Sequence, residues 1–159
     1  LGGLLTAITI HAQNQGIGEK CYLTEPRITR QTMKLHLASR SGSLYLFTAY
    51  GSDHVEINQQ RHVSALLLQP ERQPEDWEVA GFSALQPAHF ARIAERAPTL
   101  VLLGTGKRLR FPAPALTRPL IDARIGLEVM DIGALCRTYN ILAGEGRNVC
   151  AAVLFDPPD

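Results

Sequence analysis

The feature that most constrains this chain is an ordered alternation in its second half, where short apolar runs take turns with helix-patterned segments. Thr99–Leu103 (TLVLL) is one run and ends at Gly104; Gly126–Asp131 (GLEVMD) and Val149–Phe155 (VCAAVLF) are the others. Between them, Pro114–Arg124 sets Leu116, Leu120 and Ile121 on one helical face, and Ile132–Ala143 forms a helix stopped by Gly144. An earlier helix, Gln86–Ala97, spaces Phe90, Ile93, Ala94 and Ala97 helically, with Ser83 and Pro87 near its start. Strands that are apolar on both faces need a covering layer on each side, and intervening helices supply it through parallel crossovers. The order therefore predicts a three-layer α/β fold with a central mixed, mostly parallel sheet flanked by helices. The link from the last helix to Val149 is short, which leaves an antiparallel return open for the final strand.

The front half is β-rich. Leu44–Tyr50 is dense in β-formers, Gly51-Ser52-Asp53 is a turn, and His54–Asn58 alternates polar with apolar, so the two segments predict a hairpin. Val63–Gln69 (VSALLLQ) is expected to be buried on both faces, Pro70 and Pro74 to break the chain, and Asp76–Val79 to form a short strand. Residues 1–32 keep no helical or strand period, and Met33-Lys34-Leu35 has the look of a translation start. The expected organisation is a leader over 1–32 outside the fold, one α/β domain over 33–155, and a short tail over 156–159.

Composition narrows the function classes. At 159 residues there is room for one domain with a real core, and 45% hydrophobic against 19% charged residues places the chain among globular proteins. The net charge is +1, and residues 33–159 carry acidic and basic side chains in equal number, so no long-range field recruits nucleic acid or an anionic membrane. Basic residues are not interleaved with aromatics on one strand, so no nucleic-acid partner is expected. Cys21, Cys136 and Cys150 are odd in number and form no C-x-x-C pair, which points to a reducing, cytoplasmic setting. No run approaches the ~18 apolar residues of a membrane span, so membrane insertion is not expected. The apolar opening Leu1–Ile10 lacks the basic flank and cleavage site of a secretory leader.

In an open α/β sheet, ligands bind beyond the carboxyl ends of parallel strands. Two such ends are visible: Gly104-Thr105-Gly106-Lys107-Arg108, and Asp131 running into the helix that carries Arg137. Gly104 and Gly106 would let backbone approach a ligand closely, while Lys107, Arg108 and Arg110 bring positive charge. A small anion such as phosphate or a carboxylate is the ligand these residues suit. Against that, the segment is neither a P-loop nor a Rossmann fingerprint, and glycines after a buried strand often make only a turn. Asp131 and Arg137 are also placed to pair across the helix start.

Cys136 is the one candidate nucleophile, in the first turn of a helix beside Arg137, yet no histidine lies near it in sequence. Packing beside Leu135 and Tyr139 is the competing reading, and Tyr139 itself shares an inward face with Leu135 and Leu142. Glu145, between Gly144 and Gly146, suits a turn. His11, His36, His54, His62 and His89 are dispersed without metal-ligand spacing. No complete catalytic constellation, metal site or cofactor motif assembles from the chain.

Four phrases carry a resemblance: Leu103-Gly104-Thr105-Gly106; Gly126-x-Glu128-Val129-Met130-Asp131; Cys136-Arg137-Thr138-Tyr139-Asn140; and Gly144-Glu145-Gly146-Arg147. Together, over roughly Val63 to Phe155, the chain resembles a family of largely uncharacterised bacterial and archaeal proteins. That family also contains the mitochondrial complex I (NADH dehydrogenase) assembly factor 3 and an adipogenesis-associated relative. The resemblance implies a three-layer α/β fold with a central mixed sheet, and neither an established enzymatic activity nor a cofactor. The family often has Asp-Thr where this chain has Asp131-Ile132, so no threonine hydroxyl acts there. Two readings follow: a non-catalytic interaction or assembly-accessory protein with a protein partner, and a small-anion or small-metabolite binder or enzyme using Gly104–Arg108 and Asp131–Arg137.

Overall fold

The computed structural model describes residues 43–156. The leader expected over 1–32, the start at Met33 and the tail beyond Asp156 lie outside the described residues. In chain order the elements are β1 (Phe47–Tyr50), β2 (Val55–Ile57), β3 (Gln60–His62), β4 (Leu66–Gln69), β5 (Arg72–Asp76), α1 (Pro87–Glu95), β6 (Leu100–Thr105), α2 (Arg118–Asp122), β7 (Gly126–Met130), α3 (Ile132–Gly144) and β8 (Val149–Leu154), with a 3-10 turn at Phe82–Ala84. They build a mixed sheet in the order β5-β4-β8-β6-β7 and a small antiparallel sheet β1-β2-β3. In the large sheet β6 runs parallel to both β7 and β8, while β4 is antiparallel to β8 and to β5. The final strand therefore comes back parallel to β6, across α3, and the antiparallel return left open by the short linker does not occur.

β8 is buried along its whole length and feeds two cores by alternation. Val149, Ala151 and Val153 meet Ile132, Leu135, Tyr139 and Ala143 of α3, with Phe47, Val55 and Ile57 of the small sheet. Cys150, Ala152 and Leu154 meet Trp77, Leu85, Phe90, Ile93 and Leu120 on the other face. The expected three layers are present, with α3 and the small sheet sharing one outer layer and α1 and α2 forming the other. Val63–Gln69 was expected to be buried on both faces; its strand, β4, starts only at Leu66 and has every residue buried, whereas Val63 and Ser64 ahead of it are exposed.

Local differences from expectation have physical causes. Pro74 does not break the chain but sits in β5, the edge of the sheet, where a residue without an N–H costs no ladder bond and a register shift accommodates it. The strand thus lies upstream of the expected Asp76–Val79. Ile57-Asn58-Gln59-Gln60 is a two-residue hairpin whose central residues both have positive φ, 48 and 70°, as the right-handed strand twist favours, and it adds β3. The helix expected over Pro114–Arg124 shrinks to Arg118–Asp122, because Pro119 is tolerated only in a first turn. α3 runs through Gly144 and stops at Gly146, whose φ of 76° lets its N–H reach the Ala143 carbonyl (3.0 Å) and that of Arg147 reach Leu142 (3.0 Å).

Asn140 joins the small sheet to α3. Its Oδ1 accepts from the Phe47 N–H (2.9 Å) and its Nδ2 donates to the Phe47 carbonyl (2.7 Å), as a neighbouring strand would. The Tyr139 hydroxyl adds a bond to the Tyr45 carbonyl (3.1 Å). Replacing Asn140 by alanine leaves both Phe47 groups without a partner and should lower stability by about 2 kcal/mol, taking roughly 1 kcal/mol per bond. Urea unfolding of N140A against the parent chain measures it.

Candidate functional site

Because β6 and β7 are parallel, their carboxyl ends open onto the same rim, and α3 starts there directly after β7. An open cleft of about 450 Å³ lies on that rim, lined by Tyr50, Gly51, Ser52, Gly106, Lys107, Asp131, Ile132, Gly133 and Arg137. The structure thus brings together Gly106, Lys107, Asp131 and Arg137 of the residues selected from the sequence. It adds the β1–β2 turn, Tyr50–Ser52, which no local pattern connects to this rim.

The other selected residues serve different ends. Gly104 faces α3, not a ligand: a Cβ there would stand 2.9 Å from Leu135 Cδ1, so the absent side chain is what lets helix and strand approach. Thr105 is fully buried; its hydroxyl donates to the Arg108 carbonyl (2.7 Å) and accepts from the Arg110 N–H (3.0 Å), closing the loop on itself. Arg108 is exposed and does not line the cleft. Arg110 turns inward, donating to the Thr105 carbonyl (2.8 Å) and to Asp156, with its guanidinium 4.7 Å from the Phe82 ring centroid. Asp156 also accepts from the Lys107 N–H (3.0 Å), and Gly106 passes it at a φ of 86°, where a Cβ would collide with its carboxylate at 2.6 Å. Nothing near Gly104–Arg108 in sequence signals this carboxylate, which comes from the far end of the described chain.

Asp131 and Arg137 do not pair. Asp131 caps α3 by accepting from the Ala134 N–H (2.9 Å), and Arg137 donates to the Tyr50 hydroxyl (2.7 Å), its guanidinium 6.0 Å from that ring's centroid. Each finds a partner closer to its own geometry than the other. At the cleft, Lys107 and Arg137 supply positive charge, Asp131 negative charge, and Tyr50 a half-exposed ring. Such a mouth can hold an anion or a polar side chain. Among the described residues no group of three His, Cys, Asp or Glu side chains gathers as a metal site.

Cys136 lies in the core, 2% exposed, and faces away from this chemistry. Burial pushes its thiol from the ordinary 9.0 up to about 12, outweighing the opposing pull of Arg137, so it is not the nucleophile the first-turn position suggested. Cys150, in the other core, is likewise raised to about 12 by burial. Both folded values exceed the unfolded one, so the stabilisation from these thiols is complete below pH 9.0 and is lost as pH climbs towards 12. The loss should be visible as falling urea midpoints above pH 9.0. Iodoacetamide should label neither cysteine in the folded chain at neutral pH and both after unfolding.

Comparison with known proteins agrees with this architecture. The chain is 28% identical over 131 residues, 80% of its length and 70% of the relative's, to NADH dehydrogenase [ubiquinone] 1 alpha subcomplex assembly factor 3 of Bos taurus. A crystal structure from Bordetella parapertussis shares 38% identity with a TM-score of 0.69, covering 73% of this chain and 99% of that one. A solution structure from Xanthomonas campestris shares 34% with a TM-score of 0.64, covering 78% and 91%. A family model matches residues 47–154, so the chain belongs to the family described as protein of unknown function (DUF498/DUF598).

Proposed function

We propose that the chain is a non-catalytic assembly-accessory protein that acts on a respiratory membrane complex through a protein partner. The observation that carries this reading is the likeness, along 80% of the chain, to a relative whose name is that of an NADH dehydrogenase assembly factor. The rim supports it from the chemical side. Asp131 is committed to capping α3 and Arg137 to Tyr50, and the thiol nearest in sequence is buried in the core. Deleting the gene in the native host should lower membrane NADH dehydrogenase activity several-fold and accumulate partial complexes on native gels, with other respiratory activities unchanged. Normal levels of the intact complex would sink the reading.

A second reading keeps the cleft as a small-anion or small-metabolite site. It is favoured by the convergence of Lys107 and Arg137 on the same 450 Å³ of open space. Phosphate titrated into isotope-labelled protein should then move the amides of Gly106, Lys107 and Gly133 saturably, and leave the core amides of β8 in place. Unmoved amides on the rim remove this alternative.

A further inference from the structure

The loop after β6 is anchored from beneath and apolar on top. Thr105, Arg110 and Asp156 hold its inner side through the bonds described above. Leu109 and Phe111 flank the inward-turned Arg110 and stand 53% and 69% exposed. Of the other exposed large apolar side chains, Tyr50 lines the cleft, and Val63, Ile121 and Ile141 stand singly in the sequence and call for no explanation. Here two of them lie two residues apart, next to Lys107 and Arg108, which are exposed and in no ion pair among the described residues. The loop therefore offers a neutralised base and a surface that is both cationic and apolar.

We propose that Lys107–Phe111 is a peripheral contact for an anionic lipid bilayer. Leu109 and Phe111 seat in the boundary between headgroups and acyl chains, and Lys107 and Arg108 lie against the lipid phosphates. Charge selects this occupant: Lys107 and Arg108 are exposed and have no carboxylate partner among the described residues, so they answer an anionic surface. A bilayer needs no matching shape, and its charge complements the loop. The near-neutral chain exerts no long-range pull, so the attraction works within a Debye length of ~10 Å, which requires the cations and the apolar pair to share one loop, as they do. The contact is superficial: among the described residues no helix is long and apolar enough to cross a membrane. The proposal does not depend on the assembly role.

The test is flotation of the full chain with vesicles of phosphatidylcholine, alone or mixed with phosphatidylglycerol. The parent chain should float with the anionic vesicles only, and lose that association in high salt. Reversing both charges, K107E/R108E, should weaken partitioning at least about 30-fold, from ~1 kcal/mol per basic residue. L109S/F111S should weaken it about tenfold or more through the lost apolar area. Both pairs are exposed, so circular dichroism and thermal melting should match the parent. Failure of the parent chain to float, or equal binding to uncharged vesicles, overturns the proposal. So does binding that either double variant retains; Leu109 and Phe111 would then be left to a protein partner.

Discussion

The domain depends on one constraint: β8 must be kept from water on both faces. Val149–Leu154 has no exposed residue, and its side chains divide between two cores that share nothing but the sheet. Burying an aliphatic side chain contributes roughly 1.5–3 kcal/mol, so a bare face along this strand and its neighbours β4 and β6 would cost as much as the whole net stability of a small domain. Each outer layer answers that need. α1 and α2 close one face, with Trp77 and Phe90 edge to face at 6.3 Å, and α3 closes the other. A crossover helix between parallel strands has to begin at their carboxyl ends, so the layer that protects β8 also sets Asp131 and Arg137 on the rim beside Gly106 and Lys107.

α3 alone is too narrow to cover its face, and the small sheet takes the remainder. Phe47, Val55 and Ile57 pack into the same core, and Phe47 meets Tyr139 edge to face at 5.1 Å. The paired bonds from Asn140 to the Phe47 backbone fix where β1 lies on the helix, and the chain then leaves β1 at Tyr50, within reach of Arg137. The cleft is consequently a by-product of coverage: one wall follows from the large sheet and the other from the small sheet seated on α3.

This origin explains what was legible in the sequence. Continuous apolar runs revealed β4, β6 and β8, because a strand buried on both faces leaves no alternation to confuse it with a surface segment. The rim was legible too, since parallel strand ends follow from the order of elements. Tyr50–Ser52 was not, because its placement depends on two side-chain bonds from Asn140 to Phe47, residues ninety-three apart along the chain. Gly104 was legible as a site of close approach but not for its partner, since a missing Cβ serves Leu135 as well as a ligand. Pro74 misled because its meaning changes with position: it interrupts a central strand and is harmless at an edge, and edge status is a property of the whole sheet.

The sequence Lys107-Arg108-Leu109-Arg110 also shows why a count of charges does not map a surface. Arg110 is drawn in by Asp156 and the Thr105 carbonyl, and its inward turn is what leaves Leu109 and Phe111 outside. The loop could be imagined to reverse, burying Phe111 and releasing Arg110. Burying the ring would return about 1.5–3 kcal/mol. The reversal would strip Asp156 of its charged donor and the Thr105 carbonyl of its partner, at about 1.5–3 kcal/mol for a bond to a charged group and a further 1–3 for a buried acceptor left unsatisfied. It would also lift the guanidinium from the Phe82 ring. The bonds to Asp156 and to the Thr105 carbonyl thus favour the inward Arg110 that leaves Phe111 in solvent. An exposed aromatic kept out by the domain's own hydrogen bonds is a fixed part of its surface, available to whatever the rim meets.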